Sequence, residues 1–176
     1  IVGNGSRATI RKNIIWYNSA AYGGGIHGCD GLIEDNIIYN NYASGEGANP
    51  GIGGGLAYCN GSIVRNEIYS NESSFLGGGV GLCEGDLRNN LIRNNLAPYG
   101  GGIGGYYTGG SIENCTIVNN NSSYYYGGGI LLVTQGAVRN SIIWGNTGGQ
   151  LVDSVTPTYS CIQNWSSGGE GNIASD

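Results

Sequence analysis

The 176-residue chain has little charge: seven Lys and Arg against twelve Asp and Glu, for a net charge of −5, with charged residues at only 11%. Lys12 is the one lysine, His27 the one histidine, and methionine is absent. So few basic residues, strung out along the chain, argue against a nucleic-acid partner. No apolar run approaches the ~18 residues of a membrane-spanning helix. The strong helix formers Ala, Glu, Lys and Leu are scarce, which excludes a helical bundle or coiled coil. Gly at every third position is lacking, which excludes collagen. What is present is 36 Gly, 22 Asn and 13 Tyr, with 39% apolar residues, enough to form a core and to argue against disorder.

Gly and Asn fall in a repeat. A Gly triplet followed by an aliphatic residue occurs at Gly23–Ile26, Gly53–Leu56, Gly77–Val80, Gly100–Ile103 and Gly127–Ile130, in steps of 30, 24, 23 and 27 residues. Between triplets lies a block of two aliphatic residues five apart and an Asn three further on. Its six copies are Ile10/Ile15/Asn18, Ile33/Ile38/Asn41, Ile63/Ile68/Asn71, Leu87/Ile92/Asn95, Ile112/Ile117/Asn120 and Val138/Ile143/Asn146. Rigid spacing inside a block and loose spacing between blocks separates strands from loops. The loosest connection is Tyr42 to Ile52. Leucine-rich repeats need more Leu and a helix, and a propeller blade needs ~40 residues. An all-β solenoid of parallel strands remains, with six to seven coils of 23–30 residues and no substantial helix. One domain then covers residues 1–176, with regular coils over about 8–146 and an irregular closing coil over 147–176. The repeated aliphatic positions should point inward and stack.

The Gly-Gly-Gly-aliphatic strand, followed by blocks such as Ile112-Glu113-Asn114-Cys115-Thr116-Ile117-Val118-Asn119-Asn120, resembles the right-handed parallel β-helix repeats of exported bacterial proteins. These are the pectate-lyase-like superfold and the polymorphic outer-membrane protein repeats. The resemblance spans roughly residues 8 to 164 and implies a right-handed β-helix and an extracellular or cell-surface location. It carries no single activity, because one superfold hosts lyases, hydrolases, adhesins and stalks.

Stacking coils turns each repeated position into a column. The column Asn18, Asn41, Asn71, Asn95, Asn120 and Asn146 reads as a structural ladder: Asn tolerates left-handed turns, and stacked amides hydrogen-bond. Cys29, Cys59 and Cys83 share one slot, where adjacent members lie within disulfide range. At most one bridge, Cys29–Cys59 or Cys59–Cys83, is expected there. A stacked column offers no tetrahedral metal site, so no metal and no cofactor is expected. Asp30, Asn60 and Glu84 each precede a Gly, which is turn chemistry. Asp30 and Glu84 would stand ~9.6 Å apart, close to an inverting carboxylate pair. A pectate-lyase-type site would need a basic residue and clustered Asp, which the columns do not assemble. His27 reads as an exposed ring.

An outward aromatic column runs through Trp16, Tyr39, Tyr69, Arg93, Val118 and Trp144. Tyr99, Tyr106, Tyr107, Tyr124, Tyr125 and Tyr126 form a second concentration, expected on loops of the last coils, as a surface for a glycan or another protein. Asn-x-Ser/Thr sequons stand at Asn4, Asn60, Asn71, Asn114, Asn120, Asn121 and Asn164. Low charge, abundant Tyr and regular coils predict a non-catalytic extracellular structural or adhesive solenoid. It would associate with itself, head to tail at open coil ends or laterally, as a filament or surface-layer component. The alternative is a carbohydrate-binding or polysaccharide-degrading β-helix using the Tyr-rich loops. Open ends also fit an array that continues beyond this segment.

Overall fold

The computed structural model describes residues 1–105, 110–131 and 135–174. Four parallel sheets run the length of a solenoid, and no helix occurs among the described residues. The first sheet has seven strands: Val2–Ser6, Ile26–Cys29, Leu56–Ala57, Val80–Gly81, Ile103–Gly104, Ile130–Leu131 and Leu151–Val152. The second has six, from Ile10–Arg11 through Ile33–Glu34, Ile63–Val64, Leu87–Arg88 and Ile112–Glu113 to Val138–Arg139. The third has seven: Ile14–Trp16, Ile37–Tyr39, Glu67–Tyr69, Leu91–Arg93, Thr116–Val118, Ile142–Trp144 and Cys161–Ile162. They number the coils from one to seven. The fourth has five, from Ser19–Ala20 through Tyr42–Ala43, Glu72–Ser73 and Leu96–Tyr99 to Asn121–Tyr126. The tube starts earlier than the sequence blocks do, because Val2–Ser6 already pairs with Ile26–Cys29.

Register follows the repeat. Ile15 pairs with Ile38, Ile38 with Ile68, Ile68 with Ile92, Ile92 with Ile117, and Ile117 with Ile143. Ile10, Ile33, Ile63, Leu87, Ile112 and Val138 form the matching column on the second sheet, and both columns are buried in one core. Burying one such side chain is worth roughly 1.5–3 kcal/mol. The long connection after Tyr42 is a small antiparallel hairpin, Gly45–Glu46 with Asn49–Pro50, standing off the tube.

The triplets have a steric cause. The first glycine of each, Gly23, Gly53, Gly77, Gly100 and Gly127, takes a left-handed φ of 55–68°. A Cβ on the second would overlap the backbone of the following coil, as Gly54 would meet the Gly78 carbonyl.

The sheets meet at tight corners, and here the sequence reading needs correcting. The left-handed residue is the one before each ladder asparagine: Tyr17, Asn40, Ser70, Asn94 and Asn119, with φ of 51–55°. A left-handed conformation costs a non-glycine residue ~1–2 kcal/mol. The ladder asparagine satisfies the backbone that the corner exposes. Asn41 Oδ1 accepts the Asn18 backbone N–H at 3.1 Å and Asn18 Nδ2 at 2.9 Å, while Asn41 Nδ2 donates to the Ile15 carbonyl at 2.9 Å. The pattern repeats through Asn71, Asn95 and Asn120 to Asn146, whose Nδ2 donates to Gln150 Oε1 at 2.8 Å.

A second ladder stands at the other corner, after the left-handed residues Lys12, Asp35, Arg65, Asn89, Asn114 and Asn140. Asn13, Asn36, Asn66 and Asn90 repeat the same bonds. Smaller groups continue it: the Cys115 N–H donates to Ser141 Oγ at 3.2 Å, the Ser141 N–H to Ser160 Oγ at 3.1 Å, and the Ser160 N–H to Asn172 Oδ1 at 3.0 Å.

Candidate functional site

The four described tyrosines of the second concentration lie on strands of the fourth sheet, not on loops. Tyr106 and Tyr107 fall outside the described residues. The Tyr99 ring packs edge-on against Phe75, Tyr124 and Tyr126 at centroid distances of 5.2, 5.3 and 6.2 Å. Tyr124 and Tyr125 remain 66% and 75% exposed. The Tyr126 hydroxyl donates to the Asp153 carboxylate, which raises the phenol's pKa. Tyr99, Tyr124, Tyr126 and Phe75 therefore make an aromatic patch with one anionic edge.

Asp30, Asn60 and Glu84 do stack. Asp30 Oδ1 accepts the Asn60 N–H at 3.2 Å, and Asn60 Oδ1 accepts the Glu84 N–H at 3.3 Å. They form the lip of an open groove of about 460 Å³ floored by Gly31, Gly61, Gly85 and Gly110. The glycines are required: a Cβ on Gly61 or Gly85 would overlap the carbonyl oxygen of the glycine one coil earlier. Asp86, on the same groove, is held below the ordinary carboxylate range by the Ser111 backbone N–H and hydroxyl. The hydrogen bonds at these positions run from coil to coil.

His27 is half-buried, contrary to the exposed ring expected, because Tyr22 and Tyr58 flank it at 6.1 and 5.6 Å. All five cysteines are free thiols, and none of the bridges that the spacing allows is formed. Cys29, Cys59 and Cys83 face the core, with the Cys59 N–H donating to Cys83 Sγ at 3.2 Å. Burial raises the Cys83 pKa well above the usual thiol value and pushes Cys115 up to about 11. Such thiols are poor nucleophiles and behave as small apolar side chains. Among the described residues no cluster of His, Cys, Asp and Glu could hold a metal ion.

The basic residues look dispersed in the sequence, yet the coils gather them. Arg11, Glu34, Val64, Arg88, Glu113 and Arg139 are successive neighbours on the outer side of the second sheet. Ion pairs bind them across coils: Arg65 to Glu34 at 2.7 Å and to Asp35 at 2.8 Å, and Arg139 to Glu113 at 2.7 Å. On the third sheet, Arg93 reaches back one coil to Glu67 at 2.7 Å. Two sequons, at Asn71 and Asn120, lie buried inside the ladder, which leaves no room for a glycan at either.

The outward column of the third sheet stacks as its spacing requires. Trp16 lies on Tyr39 at 5.8 Å and 13°, Tyr39 on Tyr69 at 4.9 Å and 4°, and the Arg93 guanidinium covers the other face of Tyr69 at 4.2 Å. Both faces of Tyr39 and of Tyr69 are covered within the stack, so a sugar ring meets only their edges.

The profile of the right-handed β-helix region matches residues 1–173. The chain belongs to the right-handed β-helix family. Comparison with curated proteins and with solved structures returned no match. The family accounts for the β-helix's ladders and sheets and leaves its activity open. Among the described residues no helix is long and apolar enough to cross a membrane.

Proposed function

We propose that this β-helix is an extracellular structural or adhesive element that acts by associating with copies of itself rather than by turning over a substrate. The observation that carries the reading is the use made of its ionisable groups. Glu34, Asp35, Glu67, Asp86 and Glu113 are tied to arginines on their own or a neighbouring coil, and His27 lies between two tyrosines. These five carboxylates are engaged along the tube; a general acid or base must instead be free to reach a substrate.

Lateral association fits the C-terminal coil better than head-to-tail stacking. Gln150 takes the place of the next ladder amide after Asn146, Gln163 Oε1 accepts from the Gly145 N–H at 2.8 Å, and Trp165 packs on the end of the core. A stacked copy would have to displace these contacts. Incubation with a panel of neutral and acidic polysaccharides tests the structural reading. It expects intact polymers, and steady release of oligosaccharides would overturn it.

A second reading rests on the exposure of Tyr124 and Tyr125 next to Tyr126, whose hydroxyl holds Asp153, which suits a glycan-binding patch. Under that reading polysaccharide in a native gel retards the protein, and replacing both tyrosines by Ala abolishes the shift.

A further inference from the structure

Resting on the self-associating reading, the third sheet supplies its surface. We propose that two copies of the chain pair through the outer face of this sheet, antiparallel, about a twofold axis parallel to the strands between coils three and four.

The first and third faces are each continuous over seven strands, but outward residues of the first, Ala57 and Leu131, are buried in a second small cluster with Ile52 and Leu76; the third is left exposed, largely apolar and nearly free of charge. The second carries the ion-pair rows, costly to strip of water. The fourth has only five strands, with the hairpin at Gly45–Pro50 following its second strand. On the third face the exposed apolar groups concentrate at the two ends. The same tripeptide, Ile-Ile-Trp, occupies coil one as Ile14–Trp16 and coil six as Ile142–Trp144. Ile14 is 63% exposed and Ile142 47%, far more than an aliphatic residue facing a core. The face carries two charged residues, Glu67 on coil three and Arg93 on coil four, already paired with each other.

That arrangement is self-complementary. A twofold axis between coils three and four sets coil one of one copy against coil six of the other, Ile-Ile-Trp on Ile-Ile-Trp. It brings the two Glu67–Arg93 pairs side by side in opposite order at the centre, about one coil spacing (~4.8 Å) apart. Each carboxylate then lies beside two guanidinium groups, and no charge is buried alone.

Seven strands and about five residues of each coil give a face ~29 Å by ~16 Å, or roughly 500 Å² of footprint on each copy. The total near ~1,000 Å² is the lower limit of specific interfaces, so the pair should be reversible rather than obligate. A glycan is the weaker occupant, because both faces of Tyr39 and Tyr69 are covered within the stack.

Sedimentation velocity on two charge reversals tests the surface. Glu67→Arg leaves only cations at the centre and Arg93→Glu only anions. Each variant alone should sediment as a monomer where the wild type dimerises, and an equimolar mixture should recover the dimer. Thermal melting of each variant confirms that it is folded. In addition, in a Cys161→Ser background, which removes the native thiol beside Ile142 on the same face, an Ile14→Cys copy should cross-link on oxidation to an Ile142→Cys copy and not to itself.

A wild-type dimer that both reversals leave intact would overturn the choice of face while the self-associating reading stands. A wild type that is monomeric at every concentration would overturn both. Cross-linking of Ile14→Cys with itself in the Cys161→Ser background would overturn the antiparallel arrangement. Polysaccharide-dependent retardation lost on Ile14→Lys would give the face to a glycan and likewise overturn the proposal.

Discussion

Replacing Asn95 by Ala removes the middle of the first ladder, and its cost follows from the bonds that vanish. Asn95 is fully buried. Its Oδ1 accepts the Asn71 N–H at 2.9 Å and Asn71 Nδ2 at 3.1 Å, and its Nδ2 donates to the Ile68 carbonyl and Asn120 Oδ1, both at 3.0 Å. Alanine leaves the Asn71 N–H and one Asn71 amide hydrogen without acceptors inside the tube. An orphaned buried donor costs ~1–3 kcal/mol, so the variant should lose roughly 2–6 kcal/mol. That is a large part of the ~5–15 kcal/mol that holds a typical domain folded. Asn18 is the internal control: it ends the column, it is exposed, and Asn41 Oδ1 keeps the backbone N–H of residue 18 in any variant. Asn18→Ala should therefore cost ~1 kcal/mol or less. Urea unfolding followed by tryptophan fluorescence reads both as midpoint shifts at unchanged slope. Equal losses for the two variants, or a loss below ~1 kcal/mol at Asn95, would refute the claim that the ladder carries the corner.

Gly85→Ala should fail to yield folded protein by circular dichroism, because its Cβ overlaps the Gly61 carbonyl oxygen, whereas Gly47→Ala on the open hairpin tip should fold. Titration with a thiol reagent under native conditions should label Cys161 first and the buried Cys29, Cys59, Cys83 and Cys115 only on unfolding; four or five fast thiols would contradict the column's placement. Acid should weaken the fold. Asp35 is held below its usual 3.8 by its hydrogen bond to Arg65, and Glu113 below its usual 4.5 by its hydrogen bonds to Ser111 and Arg139. Depressed carboxylates stabilise above their unfolded values, and that contribution is lost as pH falls through the folded ones. Melting temperature should thus drop on acidification below about pH 4.5, less steeply in Glu113→Gln; identical acid limbs would refute the linkage.

The fold was legible because a solenoid copies one local solution from coil to coil. Fixed five-residue spacing between Ile10 and Ile15, or Ile112 and Ile117, can only mean two inward positions separated by a corner. The first Asn ladder was visible for the same reason. Its mechanism was not: the left-handed strain sits on Tyr17, Asn40 and Ser70, one residue before the amide, and residues this varied mask the column. The second ladder was hidden because it begins as Asn13, Asn36, Asn66 and Asn90 and continues as Cys115 and Ser141. Geometry there demands a small polar group, and three residue types meet the demand. The ion-pair rows were invisible for a different reason. Arg65 and Glu34 are 31 residues apart in sequence and adjacent in space, and insertions such as Tyr42–Ile52 shift that separation from coil to coil. Candidate sites suffer most, since Tyr124 and Tyr125 depend on which way a strand faces at the tube's edge.

Small-angle X-ray scattering over a concentration series tests the central claim most directly, because the two modes of self-association change different dimensions. The coils stack to ~29 Å from coil one to coil seven. Lateral pairing thickens the particle while leaving its length along the tube nearly constant, and that is the predicted result. A particle whose length doubles with its cross-section unchanged, or one that stays monomeric throughout, would contradict the account.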